Sequence, residues 1–302
     1  MSMPNFFIIG AAKSGTTALY HFLKQHPQIF LSEVKEPNYF AFGDEKPCFR
    51  GPGEERWVKR FKFTNIEAYR ALFESVSNEI AIGDASPSSL FVPRACERIR
   101  RCAPNAKLIA ILRNPVERAY SNCMHLVRDG IETEKGFLRA LDAEEKRARD
   151  NWSPYWRYKE IGFYYGQMSR YYDAFDRSQI KVYLYEDLKG DAENLFKDVF
   201  HFLGVDESFE PDTSVRYNAS GIPKNGVPRL LRKLRPAWGA VKPYLPERMS
   251  QAITAYGLGL RNRNLYKPAL PQEARSRLTA AYREDILKLQ DLIGRDLSRW
   301  LG

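Results

Sequence analysis

Several features are scarce or missing in this sequence. The longest apolar run near its start, Phe6 to Ile9, is far shorter than the roughly 20 residues that span a bilayer. No basic segment with a signal-type apolar core precedes it, so we expect a cytoplasmic protein. The four cysteines form no C-x-x-C pair and have no His-rich partner motif. This absence argues against a zinc site or a disulfide framework, and we expect free thiols.

The composition is that of a globular protein. Of 302 residues, 44% are apolar and 28% are charged, which is enough to bury a core. No composition shift, internal repeat or low-complexity segment divides the chain, so a single domain over residues 1–302 is expected. The formal charge of +10 favours anionic partners such as a multiply charged nucleotide, an acidic glycan or nucleic acid. Solubility alone explains such a charge equally well.

Short apolar runs alternate with helical patterns. Candidate strands are residues 5–10, 80–83, 106–112 and 179–185, and candidate helices are residues 16–25, 93–102, 193–203 and one or two within 271–300. This order predicts an α/β fold with a central parallel sheet flanked by helices. Ligands of such sheets collect at the carboxyl ends of the strands.

The segment Gly10-Ala-Ala-Lys13-Ser14-Gly15-Thr16-Thr17 connects the first strand to the first helix. Backbone N–H groups and the positive helix end there favour an anion. The glycine spacing matches the P-loop, but Thr16 stands where a nucleoside triphosphatase has lysine, and the lysine is at position 13. This displacement argues against a P-loop nucleotide kinase, which remains the rival enzyme class. An ordinary glycine-rich turn with an exposed lysine is the structural alternative.

A second anion site is predicted after the strand at residues 106–112. Asn114 and Pro115 are typical of a helix start. Arg113 directly precedes them, and Ser121 lies one to two turns along the helix. A guanidinium and a hydroxyl suit a phosphate monoester, although Arg113 alone is as often a surface ion-pair residue. Two phosphate sites at one sheet edge indicate a nucleotide with phosphates at both ends.

These two segments resemble motifs of the sulfotransferases that use 3′-phosphoadenosine 5′-phosphosulfate (PAPS). Residues 10–23 resemble the 5′-phosphosulfate loop and residues 112–121 the 3′-phosphate motif, closest to the heparan sulfate N-sulfotransferase branch and its bacterial relatives. The resemblance implies a P-loop-like sulfotransferase fold, no metal, and in-line transfer that leaves 3′-phosphoadenosine 5′-phosphate (PAP). The residues it assigns to the 5′-phosphosulfate are Lys13, Ser14, Gly15, Thr16 and Thr17. It assigns Arg113 and Ser121 to the 3′-phosphate, and Ser220, Gly221 and Lys224 to a late loop over the nucleotide.

The resemblance also supplies catalytic candidates. Glu36 lies in a segment similar to the family's glutamate-and-aromatic segment and would be the base, while Lys13 would stabilise the leaving group. From the residues alone, Glu36 and its neighbour Glu33 are more typical of solvated charges on a loop. His125, four residues after Ser121, shares its helix face and would assist proton transfer; a half-buried helix histidine is the equal alternative.

The acceptor stays open at this stage. The glycosaminoglycan branch usually has a lysine near the position of Ala85, which this chain lacks. A hydroxyl or amine of a carbohydrate, small metabolite, lipid or carrier-bound chain fits equally. The basic residues between Lys224 and Lys242 fit a solvated face, a site for an anionic acceptor or a peripheral membrane contact. A non-catalytic nucleotide-binding or nucleic-acid-binding protein rests on charge alone, and no nucleic-acid motif supports it.

Overall fold

The structure is a computed structural model. It describes residues 3–43, 47–54, 63–215, 217, 221–224, 249, 253, 256–257, 259 and 264–302. Of the predicted site residues, Ser220 lies outside this part of the chain, as does nearly all of the basic stretch after Lys224.

A five-stranded sheet forms the centre of the protein. Its strands are β1 (Phe6–Gly10), β2 (Ile29–Leu31), β3 (Ala81–Ala85), β4 (Lys107–Leu112) and β5 (Ile180–Leu184). All neighbours pair in parallel, in the order β2-β3-β1-β4-β5. The carboxyl ends of β1, β3, β4 and β5 therefore meet at one edge, which confirms the predicted parallel α/β fold.

Helices cover both faces of this sheet. Among the described residues the α-helices are Thr16–Leu23, Tyr39–Phe42, Ile66–Arg70, Ser88–Phe91, Pro93–Cys102, Pro115–Asp129, Phe137–Asp142, Glu144–Arg149, Tyr164–Ala174, Tyr185–Gly190, Ala192–Leu203 and Gln272–Ile293. Single 3-10 turns occupy Ala71–Phe73, Pro154–Trp156, Glu160–Gly162, Arg177–Gln179 and Ser298–Trp300.

The two faces of the sheet form two apolar cores because the central strands are buried on both sides. Phe7 and Leu108 belong to one core, and Phe6 and Ile109 to the other. The C-terminal helix Gln272–Ile293 buries Leu278 and Leu289 in the first core.

The predicted helix start at Asn114 is confirmed. The Asn114 side chain accepts hydrogen bonds from the backbone N–H groups of Val116 (3.0 Å) and Glu117 (3.3 Å). This cap satisfies donors that the first helical turn leaves unpaired. It also fixes the turn by which Arg113 leaves β4.

One strand of the central sheet was not predicted. β2 has three residues, which is too short for an alternation or a long apolar run to reveal it. It lies at the sheet edge beside β3. The chain then runs from β2 through Glu36 into the helix Tyr39–Phe42. β2 therefore fixes the start of the segment that carries the candidate base.

A separate two-stranded ribbon pairs β6 (Ile222–Pro223) with β7 (Leu265–Tyr266) in antiparallel orientation. β6 packs against the helix Pro115–Asp129. The ribbon therefore brings the segment with Gly221 and Lys224 to the helix that carries Ser121.

Candidate active site

Residues 10–17, here called the β1 loop, follow the central strand directly. Gly15 precedes the helix Thr16–Leu23 with φ 103°, in the left-handed region. A Cβ at this position would lie 3.0 Å from Leu188 and 3.1 Å from Tyr185. Glycine therefore satisfies both the backbone angle and the close approach. The turn leaves the helix N-terminus facing the sheet edge, where an anion is stabilised.

Lys13 is half-buried in this loop and is surrounded by charges. Burial, together with the guanidinium groups of Arg128 and Arg113, lowers the pKa of its ammonium from 10.5 to about 7. The carboxylates of Glu36 and Asp129 oppose this shift. The structure thus gathers the predicted residues Lys13, Glu36 and Arg113 into one electrostatic neighbourhood.

The Ser14 side chain is fully buried below the loop. The Tyr164 hydroxyl lies beside it but donates its hydrogen bond to the Arg113 carbonyl oxygen over 3.1 Å. The Ser14 hydroxyl oxygen is left without a well-formed hydrogen bond among the described residues. A buried hydroxyl in this condition favours an added acceptor or donor at the loop.

Arg113 joins the two predicted anion sites. Its Nη1 donates to the Lys13 carbonyl oxygen over 3.3 Å, and its guanidinium stacks 4.7 Å from the Tyr185 ring centre. Glu117 lies 3.5 Å away but binds Lys267 at 3.0 Å and Arg275 at 2.7 Å. Because two closer cations already share the Glu117 carboxylate, it compensates the positive charge of Arg113 only weakly. The Arg113 guanidinium is therefore able to bind a phosphate as a further partner.

The helix Pro115–Asp129 carries Ser121 and His125. Ser121 is buried, at 1% exposure. The His125 Nδ1 lies 2.7 Å from Arg128 Nη2, and its Nε2 lies 3.5 Å from an Asp129 carboxylate oxygen. Since guanidinium nitrogens only donate, Nδ1 is the acceptor and Nε2 carries the proton toward Asp129. The ring is thus oriented by both neighbours.

Glu36 adopts a left-handed backbone, with φ 61°, which is uncommon for a residue other than glycine. Its carboxylate is about one third exposed and forms a short ion pair with Lys35. Strain of this kind clusters at functional sites. By contrast, the Glu33 side chain is 89% exposed and pairs with Lys24 at the surface. The structure therefore distinguishes the two glutamates that the sequence left comparable.

Gly221 and Lys224 lie at the ribbon. The Lys224 N–H donates to the Asn264 carbonyl oxygen over 2.9 Å, and the residue is exposed. Tyr120, beside Ser121, donates to the carbonyl oxygens of Pro268 and Ala269 just after the ribbon. These contacts hold the ribbon against the Ser121 helix.

Sequence reasoning missed three groups at this edge: Tyr185, Arg128 and Asp84. Tyr185 directly follows β5, and Asp84 is near the carboxyl end of β3, so strand order would have indicated both. Arg128 is seven residues after Ser121 on one helix, a spacing that shares a face. Its approach to Lys13 depends on the tertiary fold.

A parallel sheet whose central strand leads through a glycine-containing loop to a helix N-terminus is typical of α/β proteins with a P-loop-like fold. Residues 4–211 match the sequence model of the Sulfotransferase family, and the chain therefore belongs to that family. The predicted family and the sulfotransferase fold are confirmed, and the protein is a sulfotransferase enzyme.

The structure is similar to the crystal structure of a sulfotransferase from Alicyclobacillus acidocaldarius, with a TM-score of 0.79, 35% identity and full coverage of both chains. Curated relatives include the mouse bifunctional heparan sulfate N-deacetylase/N-sulfotransferase 4, 26% identical over 99% of this chain and 31% of the relative. The membrane-associated sulfotransferase kil1 of Dictyostelium discoideum is 36% identical over 40% of this chain and 22% of the relative. The chain thus spans less than half the length of these curated relatives.

None of the helices in the described ranges is long and apolar enough to cross a membrane. No group of three or more His, Cys, Asp or Glu side chains in those ranges is placed to hold a metal ion.

Proposed function

We propose that this sulfotransferase takes its sulfuryl group from PAPS and transfers it to a hydroxyl or amine, with Glu36 as the base. One observation carries this proposal: Lys13 on the β1 loop lies within electrostatic reach of the Glu36 carboxylate. A cation for the leaving group and a base for the nucleophile are the two groups that in-line transfer requires at opposite ends of the reacting centre.

The donor assignment is supported by the residues around the β1 loop. The unpaired Ser14 hydroxyl, the Thr16 helix start and Lys13 suit the 5′-phosphosulfate. Arg113, which Glu117 neutralises only weakly, suits a 3′-phosphate, and Tyr185 presents an aromatic face beside it. Thr17, Ser121, Gly221 and Lys224 are proposed to complete the donor site.

The proposed reaction is a direct displacement at sulfur. Glu36 accepts the acceptor's O–H or N–H proton while the new bond to sulfur forms. The bond between sulfur and the bridging phosphate oxygen breaks, and its electron pair stays on the phosphate of PAP. Lys13 stabilises that developing charge. His125, held by Arg128 and Asp129, is proposed to assist without being the principal base.

The acceptor is proposed to be a carbohydrate or a small metabolite. The names of the relatives support a sugar, since they include human carbohydrate sulfotransferase 15, 26% identical over 67% of this chain and 44% of the relative. We keep hydroxyl and amine acceptors together because the mouse relative is named as an N-sulfotransferase. A labelled-donor screen with sugars, lipids, small metabolites and carrier-bound chains would identify the acceptor.

Glu36→Ala tests the base. We expect PAP binding by calorimetry to stay within about twofold, and sulfuryl transfer to fall at least 100-fold, the usual contribution of a general base. Glu33→Ala is the matched control, because Glu33 is a surface glutamate three residues away. Equal turnover of the two variants would remove Glu36 from the mechanism.

The P-loop kinase alternative predicts ATP with magnesium as the ligand, whereas our proposal predicts PAP without magnesium. We therefore expect PAP without magnesium to raise the unfolding temperature, and ATP with magnesium not to raise it more. If only ATP with magnesium stabilises the protein, the PAPS assignment is wrong. Binding of neither nucleotide would contradict both enzyme hypotheses at this site.

A further inference from the structure

Asp84 is a buried carboxylate at the end of β3, next to the proposed base. It is 3% exposed, and its Oδ2 accepts a 2.7 Å hydrogen bond from the Tyr69 hydroxyl. The Ser86 hydroxyl lies beside the carboxylate, but Oδ1 has no well-formed hydrogen bond among the described residues. The groups that face it are Tyr69, Ser86, Glu36 and Lys35. A buried oxygen with an unused lone pair is costly unless a partner reaches it at some stage.

The same strand end holds Glu36 in place. The Asn38 N–H donates to Ser86 Oγ over 3.0 Å, and the Ser88 hydroxyl donates to the Asn38 side chain. Asn38 Nδ2 in turn donates to the Glu36 carbonyl oxygen over 2.7 Å. Hydrogen bonds through Asn38 therefore tie the Glu36 backbone to Ser86, two residues after Asp84.

The Lys35 side chain contacts Glu36 and lies within electrostatic reach of Asp84. Its ammonium is paired with Glu36 and is 18% exposed. When Glu36 accepts a proton, this pair loses its negative partner, and a partly desolvated ammonium is left unbalanced. Asp84, whose Oδ1 has no well-formed hydrogen bond, is a carboxylate within electrostatic reach of Lys35 and is able to replace it.

We propose that Asp84 is a positioning residue for proton transfer, which becomes the ion-pair partner of Lys35 as Glu36 is neutralised. Lys35 keeps its proton throughout, so the acceptor's proton goes to Glu36 and only the ion pairing changes. The inference rests on the proposed function, since it requires Glu36 to be the base.

The pH dependence of turnover distinguishes this role from a structural one. Burial raises the pKa of Asp84 to about 6, with the nearby Glu36 carboxylate adding to the rise and Ser86, Tyr69 and Lys35 opposing it. Asp84 must be ionised to hold Lys35, so turnover should fall as the pH drops through about 6. Asp84→Asn should lower kcat about 10-fold to 100-fold at pH 7.5 and should remove the fall in turnover near pH 6, with PAP affinity unchanged.

Tyr69→Phe provides a second variant that keeps the shape of the core. It removes the hydrogen bond that stabilises ionised Asp84, so the pKa of Asp84 should rise. The acid limb of the pH profile, which is the fall in turnover at low pH, should then move to higher pH by up to about one unit. Lys35→Met should resemble Asp84→Asn, while Lys35→Arg should retain most of the activity because it keeps the positive charge.

The chain offers a matched control. The Tyr183 hydroxyl donates to Asp198 over 2.6 Å, and Lys181 pairs with the same carboxylate at 2.7 Å. This group repeats the Tyr, Asp and Lys chemistry away from the site. Asp198→Asn and Tyr183→Phe should therefore leave the pH profile unchanged.

Turnover is measured as labelled sulfate released from PAPS, with water as the acceptor, or transferred to the acceptor that the screen selects. If Glu36→Ala is inactive but Asp84→Asn and Tyr69→Phe keep the wild-type acid limb, the role of Asp84 is refuted and the proposed function stands. If Glu36→Ala retains turnover, the proposed function itself fails. A shifted limb in Tyr69→Phe, with no shift in Tyr183→Phe, supports the proposal.

Discussion

Binding of an anionic nucleotide should change the protonation of Lys13. In the free protein, burial and the guanidinium groups of Arg128 and Arg113 lower the pKa of this ammonium to about 7. Phosphate and sulfate oxygens beside it would favour the charged form and raise the pKa again. The folded, free protein therefore loses the proton from Lys13 as the pH rises through 7, and bound PAP should restore it.

The size of the effect follows from the two pKa values. At pH 8 a group with a pKa of about 7 is about one tenth protonated, and one returned to the ordinary 10.5 is almost fully protonated. Binding at pH 8 should therefore take up about 0.9 protons, and at pH 6 about 0.1. By linkage, PAP affinity should weaken about tenfold between pH 8 and pH 9.

Calorimetry in buffers of different ionisation enthalpy measures this uptake directly. Work at pH 8 and above keeps the phosphates of PAP fully ionised, because their second pKa is about 6. Lys13→Arg keeps a positive charge at every pH used and should bind PAP without proton uptake and without the pH slope. Lys13→Met should show neither uptake nor wild-type affinity.

Two results would contradict a coupling between PAP binding and the protonation of Lys13. One is that wild-type protein takes up no proton at pH 8, and the other is that Lys13→Arg takes up as much as wild type. The first result would mean that Lys13 is already charged or does not meet the nucleotide. The second would place the titrating group elsewhere.

Two further predictions concern binding and stability. Arg113→Ala should weaken PAP binding by about 1.5 to 3 kcal/mol, the range of a hydrogen bond to a charged group, and should weaken binding of adenosine 5′-phosphate much less; equal losses for both would contradict its assignment to the 3′-phosphate. Gly83→Ala places a Cβ against the Phe6 ring and 2.7 Å from Leu31 Cδ2, so it should lower the free energy of unfolding by about 1 to 3 kcal/mol in thermal denaturation. Gly166→Ala, a helical position with nothing within 4 Å of the new Cβ, should instead stabilise by about 0.5 to 1 kcal/mol, and similar effects of both would contradict the packing argument.

Local sequence determined much of the framework. The β1 loop, the Asn114 cap and the helix Pro93–Cys102 depend on neighbouring residues, and they formed where the pattern predicted. The helix Gln272–Ile293 likewise formed within the predicted residues 271–300, and it buries Leu278 and Leu289. The single domain over residues 1–302 and the cytoplasmic location stay predictions.

The electrostatics of the site depended on distant parts of the chain. Glu36 and Asp84 are 48 positions apart, and Lys13 and Arg128 are 115 apart, so no local pattern joins either pair. The lowered pKa of Lys13 arises mainly from burial, which composition and spacing do not report. Trp156, Tyr158 and Tyr164 are likewise buried in the core, which aromatic composition alone does not indicate.

Two charged groups of the free site are not fully compensated by their neighbours. Lys13 is near two guanidinium groups, and Asp84 is a buried carboxylate with one oxygen that has no well-formed hydrogen bond among the described residues. Each arrangement costs stability in the free protein, and each would be relieved at a different stage of the proposed reaction. Bound phosphosulfate would compensate Lys13 before transfer, and Lys35 would compensate Asp84 as Glu36 becomes neutral. If both proposals hold, mutations that neutralise either residue should stabilise the free protein or leave its stability unchanged while slowing turnover.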